Sequence, residues 1–211
     1  MPKQTFFNLP TEKKERLLQA AYQEFSSVSL EEASINSIIH HSEISRGSFY
    51  QYFEDKEDLY FYCLYLLKEG LKEEVEQCFV QENGNLVVGL EKAFFVLYEH
   101  YMKGENTAFY HQFFVDMSYR KSNHMIDKDA THEDQNHHSI VLEKLAKLIN
   151  QENLVFESQE ELIQFLQYIF QMIHWTISKV CLQNLTEENA YGIVKQRLSW
   201  MANGIIKKEQ K

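Results

Sequence analysis

Ser45, Arg46, Gly47 and Ser48 place a hydroxyl, a guanidinium, a bare backbone and a second hydroxyl at four consecutive positions. At the start of a helix this set suits nucleic acid. Small polar residues let backbone N–H groups approach phosphates, and an arginine can meet guanine through two parallel hydrogen bonds. Phe49 and Phe53 follow four apart, on one helix face that turns towards a core. Tyr50 and Tyr52 fall beside the outward face, where their hydroxyls reach for phosphates.

Other chemistries lack their residues. His124, His132, His137 and His138 invite a metal reading, but only His137 and His138 are neighbours, and adjacent helical residues do not face each other. No HExxH or paired Cys/His spacing occurs, so the histidines are expected in a solvated loop and no metal is expected. Neither a paired-carboxylate motif nor a phosphate loop is present, so an all-α enzyme is disfavoured and no cofactor is expected. Cys63, Cys78 and Cys181 lie far apart in apolar sequence and read as reduced, buried thiols.

The elements that position this set are helical. Only two prolines, Pro2 and Pro10, and seven glycines occur in 211 residues, too little turn punctuation for sandwiches, barrels or doubly wound sheets. The expected class is all-α. Thr11 reads as an N-cap opening a helix to about Phe25, with Leu17, Leu18, Ala21, Tyr22 and Phe25 as its stripe. A loop over 26–34 ends at Ser34, the cap of a short helix from Ile35 to about His41. After a turn at Ser42–Ile44, Ser45 caps a second short helix to about Tyr52. Two short helices joined by such a turn form a helix-turn-helix unit, whose second helix enters the major groove. Asp55 then opens a long helix, with Asp58 completing a shortened capping box. Its buried face is Leu59, Tyr62, Cys63, Leu66, Leu67, Leu71 and Val75. Further helices are predicted at about 85–103, 106–118, 134–151, 158–183 and 186–207, with a polar, aperiodic loop over 119–133.

With 44% apolar and 25% charged residues the chain is expected to fold as a globular protein. No basic-then-apolar leader opens it, and no uncharged apolar stretch reaches the roughly eighteen residues of a membrane span. Together with reduced cysteines this predicts a cytoplasmic protein without a membrane partner. The net charge of −10 runs against nucleic-acid binding, as do six Lys/Arg against ten Asp/Glu in residues 1–60. The helix-turn-helix pattern must therefore outweigh the charge. A helical adaptor, or a small-molecule-binding protein of the same fold without sequence-specific DNA binding, is the alternative.

The stretch SINSIIHHSEISRGSFYQYFEDKEDLY resembles the DNA-binding domain of the TetR family of transcriptional regulators. The shared elements are the hydroxyl residue Ser34, the turn Ile44-Ser45, the run Gly47-Ser48-Phe49-Tyr50, then Tyr52-Phe53, Lys56-Glu57 and Leu59. The match covers about residues 11–60; the rest agrees in length and helicity. The resemblance implies a helix-turn-helix domain over residues 1–54 and a helical ligand-sensing and dimerisation domain over 55–211. It also implies a homodimer that binds a palindromic double-stranded operator, as a repressor released by a small-molecule effector. Base contacts would come from Arg46, Gly47 and Ser48, and phosphate contacts from Tyr50, Gln51, Tyr52 and Lys56. Asn36 adds a contact from the first short helix, and Ser34 and Ser45 belong to the same surface. The family usually has glycine in the turn where this chain has Glu43; a non-glycine residue in a left-handed turn costs about 1 kcal/mol.

Two regions further along carry the remaining expectations. Residues 158–183 show an apolar stripe of Leu162, Leu166, Ile169, Phe170, Ile173, Ile177 and Val180, widened by Phe165, Tyr168, Met172 and Trp175 until nearly every side is apolar. Such a helix must be covered on both sides. A second stripe runs through Ala190, Ile193, Val194, Leu198, Met201 and Ile205. Either a monomer core or a helix pair shared by two protomers accounts for this. The resemblance favours the second, with Leu162, Leu166, Ile169, Ile173, Ile177, Ile193, Val194, Leu198 and Met201 at the interface. Residues 94–119 are rich in aromatics, which mixed with polar anchors suit a pocket for an apolar or aromatic ligand. Tyr98, Tyr101, Phe109, Tyr110, Phe113 and Phe114, with Tyr168 and Met172, are the pocket candidates, against a simple filled aromatic core.

Overall fold

In the computed structural model, residues 1–122, 132–183 and 185–204 are described, excluding the side chains of 117–122 and 132–139. Among them lie ten helices and no strand: α1 (Gln4–Phe7), α2 (Thr11–Ser27), α3 (Ile35–Ser42), α4 (Arg46–Tyr52), α5 (Lys56–Gln81), α6 (Leu86–Met102), α7 (Thr107–Ser122), α8 (His132–Leu148), α9 (Gln159–Gln183) and α10 (Glu187–Asn203). The all-α expectation holds. α7 and α8 extend into the loop expected over 119–133; residues 123–131 and the side chains of His124, His132, His137 and His138 lie outside the described part.

Short polar side chains start these helices. Ser45 Oγ accepts from Ser48 N at 3.0 Å, and Ser34 Oγ accepts from Ser37 N at 3.4 Å. Asp55 Oδ1 accepts from Asp58 N at 2.8 Å, while Asp58 Oδ2 accepts from Glu54 N at 3.1 Å, a reciprocal box one residue out of register. Thr11 is a correction. It is the first helical residue of α2, Pro10 holds the capping position, and no side chain caps that end. Proline suits the start of a helix because it has no N–H to leave unpaired.

By packing, the chain falls into two units. The first comprises Met1–Gly70 and Gly104–Asn123, thus α1–α4, the first part of α5, and α7. Its core gathers Leu17, Ala21 and Phe25 of α2, Ile38 of α3, Phe49 and Phe53 around α4, Leu59 and Cys63 of α5 and Phe109 of α7, all buried. Burying one such side chain contributes about 1.5–3 kcal/mol. The second unit comprises Leu71–Lys103 and His124–Lys211. Leu90, Ala93 and Phe94 of α6, Leu142 and Leu145 of α8, the inner stripe of α9, and Ala190 and Val194 of α10 form its core. In the α5–α6 turn Gly84 has φ +75°, and an added Cβ would lie 2.5 Å from the Leu148 carbonyl oxygen, so only glycine fits there.

The cysteines are free and buried. Burial pushes the Cys181 thiol up to about 11 and raises those of Cys63 and Cys78 as well, so none offers a thiolate near neutrality.

Candidate nucleic-acid interface

Between α3 and α4 the backbone turns through Glu43, which adopts a left-handed conformation with φ 54° and ψ 37°. Glu43 N donates to His40 O at 3.3 Å and Ile44 N to Ile39 O at 3.2 Å, satisfying carbonyls at the end of α3. Ser42 is buried and donates to Ile38 O at 2.7 Å. Arg16 of α2 reaches across: its Nε donates to Ser42 O at 3.0 Å, and its guanidinium pairs with the Glu43 carboxylate at 2.9 Å. The residue that departs from glycine is thus held by a cation from the neighbouring helix.

The loop leading into α3 is tied at three points. Asp116 of α7 accepts from Leu30 N at 2.9 Å. Lys56 Nζ donates to Glu31 O at 2.6 Å and Ala33 O at 3.1 Å. The Glu24 carboxylate accepts from Ser34 N at 2.8 Å and from the Ser37 hydroxyl at 2.5 Å. A carboxylate at the start of α3 also complements the helix dipole.

On the surface made by α3 and α4, Asn36, Ser45, Arg46, Gly47, Tyr50 and Gln51 are exposed, and Ser34, Ser48, Tyr52 and Lys56 are half-buried. Phe49 and Phe53 are fully buried, as their spacing predicts. Arg46 donates to Asn36 Oδ1 at 2.9 Å, and its guanidinium carbon lies 5.8 Å from the centre of the Tyr50 ring. Asn36, Arg46 and Tyr50 therefore form one polar cluster spanning both helices. A Cβ added at Gly47 would meet only Ser45 Oγ, at 3.8 Å, so nothing within the chain requires glycine there. Lys56 differs in kind from the others, because its ammonium is already engaged by loop carbonyls.

Sequence reasoning missed Arg16, Glu24 and Asp116. Each acts on backbone groups of a distant segment, and a backbone acceptor or donor carries no residue signature. It missed α1 as well, a four-residue helix too short to show a period.

The pocket candidates divide between the two units. In the first, Phe109 is fully buried, stacks on Tyr60 with ring centroids 5.2 Å apart, and meets Phe25 edge-on. Tyr110 and Phe114 are buried beside it in sequence, and Phe113 lies under the Lys68 ammonium at 5.2 Å. In the second, Tyr98 and Tyr101 are buried, Met172 is half-buried, and Tyr168 is 63% exposed. Burial raises both the Tyr101 and the Tyr98 hydroxyl above the usual phenol range.

Of the residues expected at the interface, Leu162, Leu166, Ile169, Ile173, Ile177, Val194 and Leu198 are buried within the single chain. Ile193 and Met201 are half-buried. The exposed large apolar side chains of these helices are Tyr168, Trp175 and Leu182 on α9 and Trp200 on α10. The Trp175 ring carries Lys179 Nζ at 4.0 Å and the Arg197 guanidinium carbon at 4.8 Å.

Two short helices joined by a left-handed turn, with a polar arginine-centred face outward and two phenylalanines inward, define a helix-turn-helix DNA-binding regulator. Residues 17–63 match the family described as bacterial regulatory proteins, tetR family, and residues 85–205 match its tetracyclin repressor-like C-terminal domain. The chain belongs to the TetR family of transcriptional regulators, whose members are DNA-binding, ligand-responsive and generally not enzymes. Among solved structures, a putative fatty acid metabolism regulator of Clostridium perfringens superposes with a TM-score of 0.61 at 17% identity, covering 92% of this chain and 100% of that one. The fatty acid degradation regulator FadR of Bacillus halodurans gives 0.60 at 14% identity, covering 95% and 100%. Both likenesses concern the fold. No curated protein sequence matches the chain. Among the described residues no helix is long and apolar enough to cross a membrane.

Proposed function

We propose that this protein is a cytoplasmic repressor that binds a near-palindromic operator as a homodimer and leaves it on binding a small apolar or aromatic effector. The observation that carries the DNA reading is the Asn36–Arg46–Tyr50 cluster, which displays a pre-oriented guanidinium beside Gly47, where the bare backbone is open to close approach. In this reading Arg46, Gly47 and Ser48 meet base edges, while Tyr50, Gln51 and Tyr52 hold phosphates. Lys56 acts from behind by holding the loop that enters α3. The reader is residues 1–54, and the sensing and dimerising part is 55–211. Tyr168, Trp175, Leu182 and Trp200 are the surface offered to the second protomer, since exposed large apolar side chains on neighbouring helices gain most from being covered.

The acidic balance of residues 1–60 favours a second reading, an adaptor that keeps the fold and binds protein. Selection of bound fragments from a genomic duplex library separates the two. The repressor yields a short palindrome whose affinity falls with salt at a log–log slope of about −0.9 per phosphate contact. No enriched palindrome, or salt-independent binding, refutes it. Because two fold neighbours are described as fatty acid regulators, acyl chains are the first effector class to titrate.

A further inference from the structure

The seven-residue helix α4 has little stability of its own, so its placement comes from the groups around it. Its last four carbonyls have no partner inside the helix continuing beyond them. Phe49 O accepts from Phe53 N at 2.9 Å, and the remaining three are met by one short segment. Lys3 Nζ donates to Tyr50 O at 3.0 Å, the Thr5 hydroxyl donates to Gln51 O, and Lys3 N donates to Tyr52 O at 2.8 Å. Phe6 is buried and anchors this segment, its ring 5.0 Å from Phe53 and 5.4 Å from Tyr62. Lys14 of α2 holds its other end by donating to Phe7 O at 2.7 Å.

We propose that residues 3–6 form a cap that positions the recognition helix, with Lys3 and Thr5 as positioning residues for base reading. The segment precedes residues 17–63, over which the chain matches the family's DNA-binding domain. The chemistry is complementary at each contact. An ammonium at the carboxyl end of α4 opposes the negative end of the helix dipole, and three donors meet three carbonyls. Holding this end fixes the direction in which Arg46, at the opposite end, points into a groove. Lys3 spends its charge on the protein's own backbone in this arrangement, so it works without adding a phosphate contact. The inference rests on the DNA reading above.

The test uses the full chain with Lys3→Met and Thr5→Val, singly and together, and Lys3→Arg as the conservative control. Amide hydrogen exchange, measured without DNA, reads the cap directly: exchange at Tyr50–Phe53 should quicken several-fold in the double variant while the core amides of α2 keep their rates. The second arm measures binding to the duplex most enriched by the wild type from a random pool. Loss of about three- to tenfold in affinity is expected, with salt dependence unchanged and Lys3→Arg near wild type. Unchanged exchange in the double variant overturns the cap whatever the DNA result. An affinity loss accompanied by a salt slope shallower by about 0.9 makes Lys3 a phosphate contact and overturns the positioning role. If the wild type enriches no duplex the DNA reading falls, and the exchange arm still decides whether the cap exists.

Discussion

α4 and α9 both carry aromatic residues at helical spacing, yet they present opposite kinds of surface. Around α4, Phe49 and Phe53 are buried, and the outward side is polar and cross-bonded, Arg46 to Asn36 and over Tyr50. In α9 an equally buried inner stripe backs onto an outer face holding Tyr168, Trp175 and Leu182, with Lys179 and Arg197 laid across Trp175. A polar surface whose groups are already oriented is ready for a polar, charged ligand and costs little to expose. An apolar surface gains by being covered, and the flanking cations shield it only in part. The difference teaches that aromatic spacing by itself marks a helix with a core side; what lies opposite the core decides the kind of partner.

The widest separation between the two faces of the second unit should appear in stability. Ile173→Ala empties a fully buried position and should lower unfolding free energy by about 2–5 kcal/mol in urea titration. Trp200→Ala removes a side chain that is 51% exposed, so protomer stability should stay within about 0.5 kcal/mol. Its self-association, read by sedimentation, should weaken by about 2 kcal/mol. The reverse pattern, with Ile173→Ala dissociating a stable protomer, would return the inner stripe to the interface.

On the reader, Arg46→Ala should cost about 1–3 kcal/mol of operator affinity and relax base preference at one position of each half-site. Asn36→Ala should blur the same position with a smaller loss, because the guanidinium stays but loses its brace. Competition binding against single-base operator variants compares them. Different positions affected by the two substitutions would separate Asn36 from Arg46.

Within α5, Gly70 is exposed, and an added Cβ meets nothing within 4 Å. It stands where α5 passes from the first unit to the second. With no packing reason for glycine, Gly70→Ala should raise stability by about 0.5–1 kcal/mol through helix propensity alone. Denaturant midpoints decide it; a destabilised variant would mean that α5 uses the freedom of its glycine.

Legibility followed the kind of interaction. Caps such as Ser34, Ser45 and Asp55 were readable because short polar side chains bond their own helix, three residues on. The inward phenylalanines of α4 were readable because periodicity selects one face. The facing of α9 was less so, since a helix apolar nearly all round gives periodicity nothing to select between a core and a shared helix pair; in the single chain the stripe is buried. Lys56, Glu24, Asp116 and Lys3 were opaque for a different reason. Each bonds at least one backbone group of a segment remote in sequence, and a peptide group looks the same under every side chain.

The smallest effect concerns the residue that departs from the family's glycine. Glu43 sits at φ 54°, where a side chain costs about 1 kcal/mol relative to glycine. Against that, its carboxylate pairs with Arg16 at 2.9 Å, with the glutamate side chain 72% exposed, and an exposed pair contributes only about 0–1 kcal/mol. Arg16 also keeps a second anchor, its bond to Ser42 O, which does not depend on Glu43. Glu43→Gly should therefore leave stability unchanged or raise it by less than about 1 kcal/mol, since strain relief and pair loss nearly cancel. Operator affinity should nonetheless tighten. The substitution removes an anion next to the recognition helix and leaves the Arg16 guanidinium without its carboxylate partner, so the local field becomes more positive. That gain should shrink as salt rises, because screening weakens charge effects at the surface. Measuring the wild type and Glu43→Gly at two salt concentrations distinguishes the contributions. A tightening that persists at high salt would come from the eased turn, and weaker binding by Glu43→Gly would mean that the Arg16–Glu43 pair orients the turn for DNA.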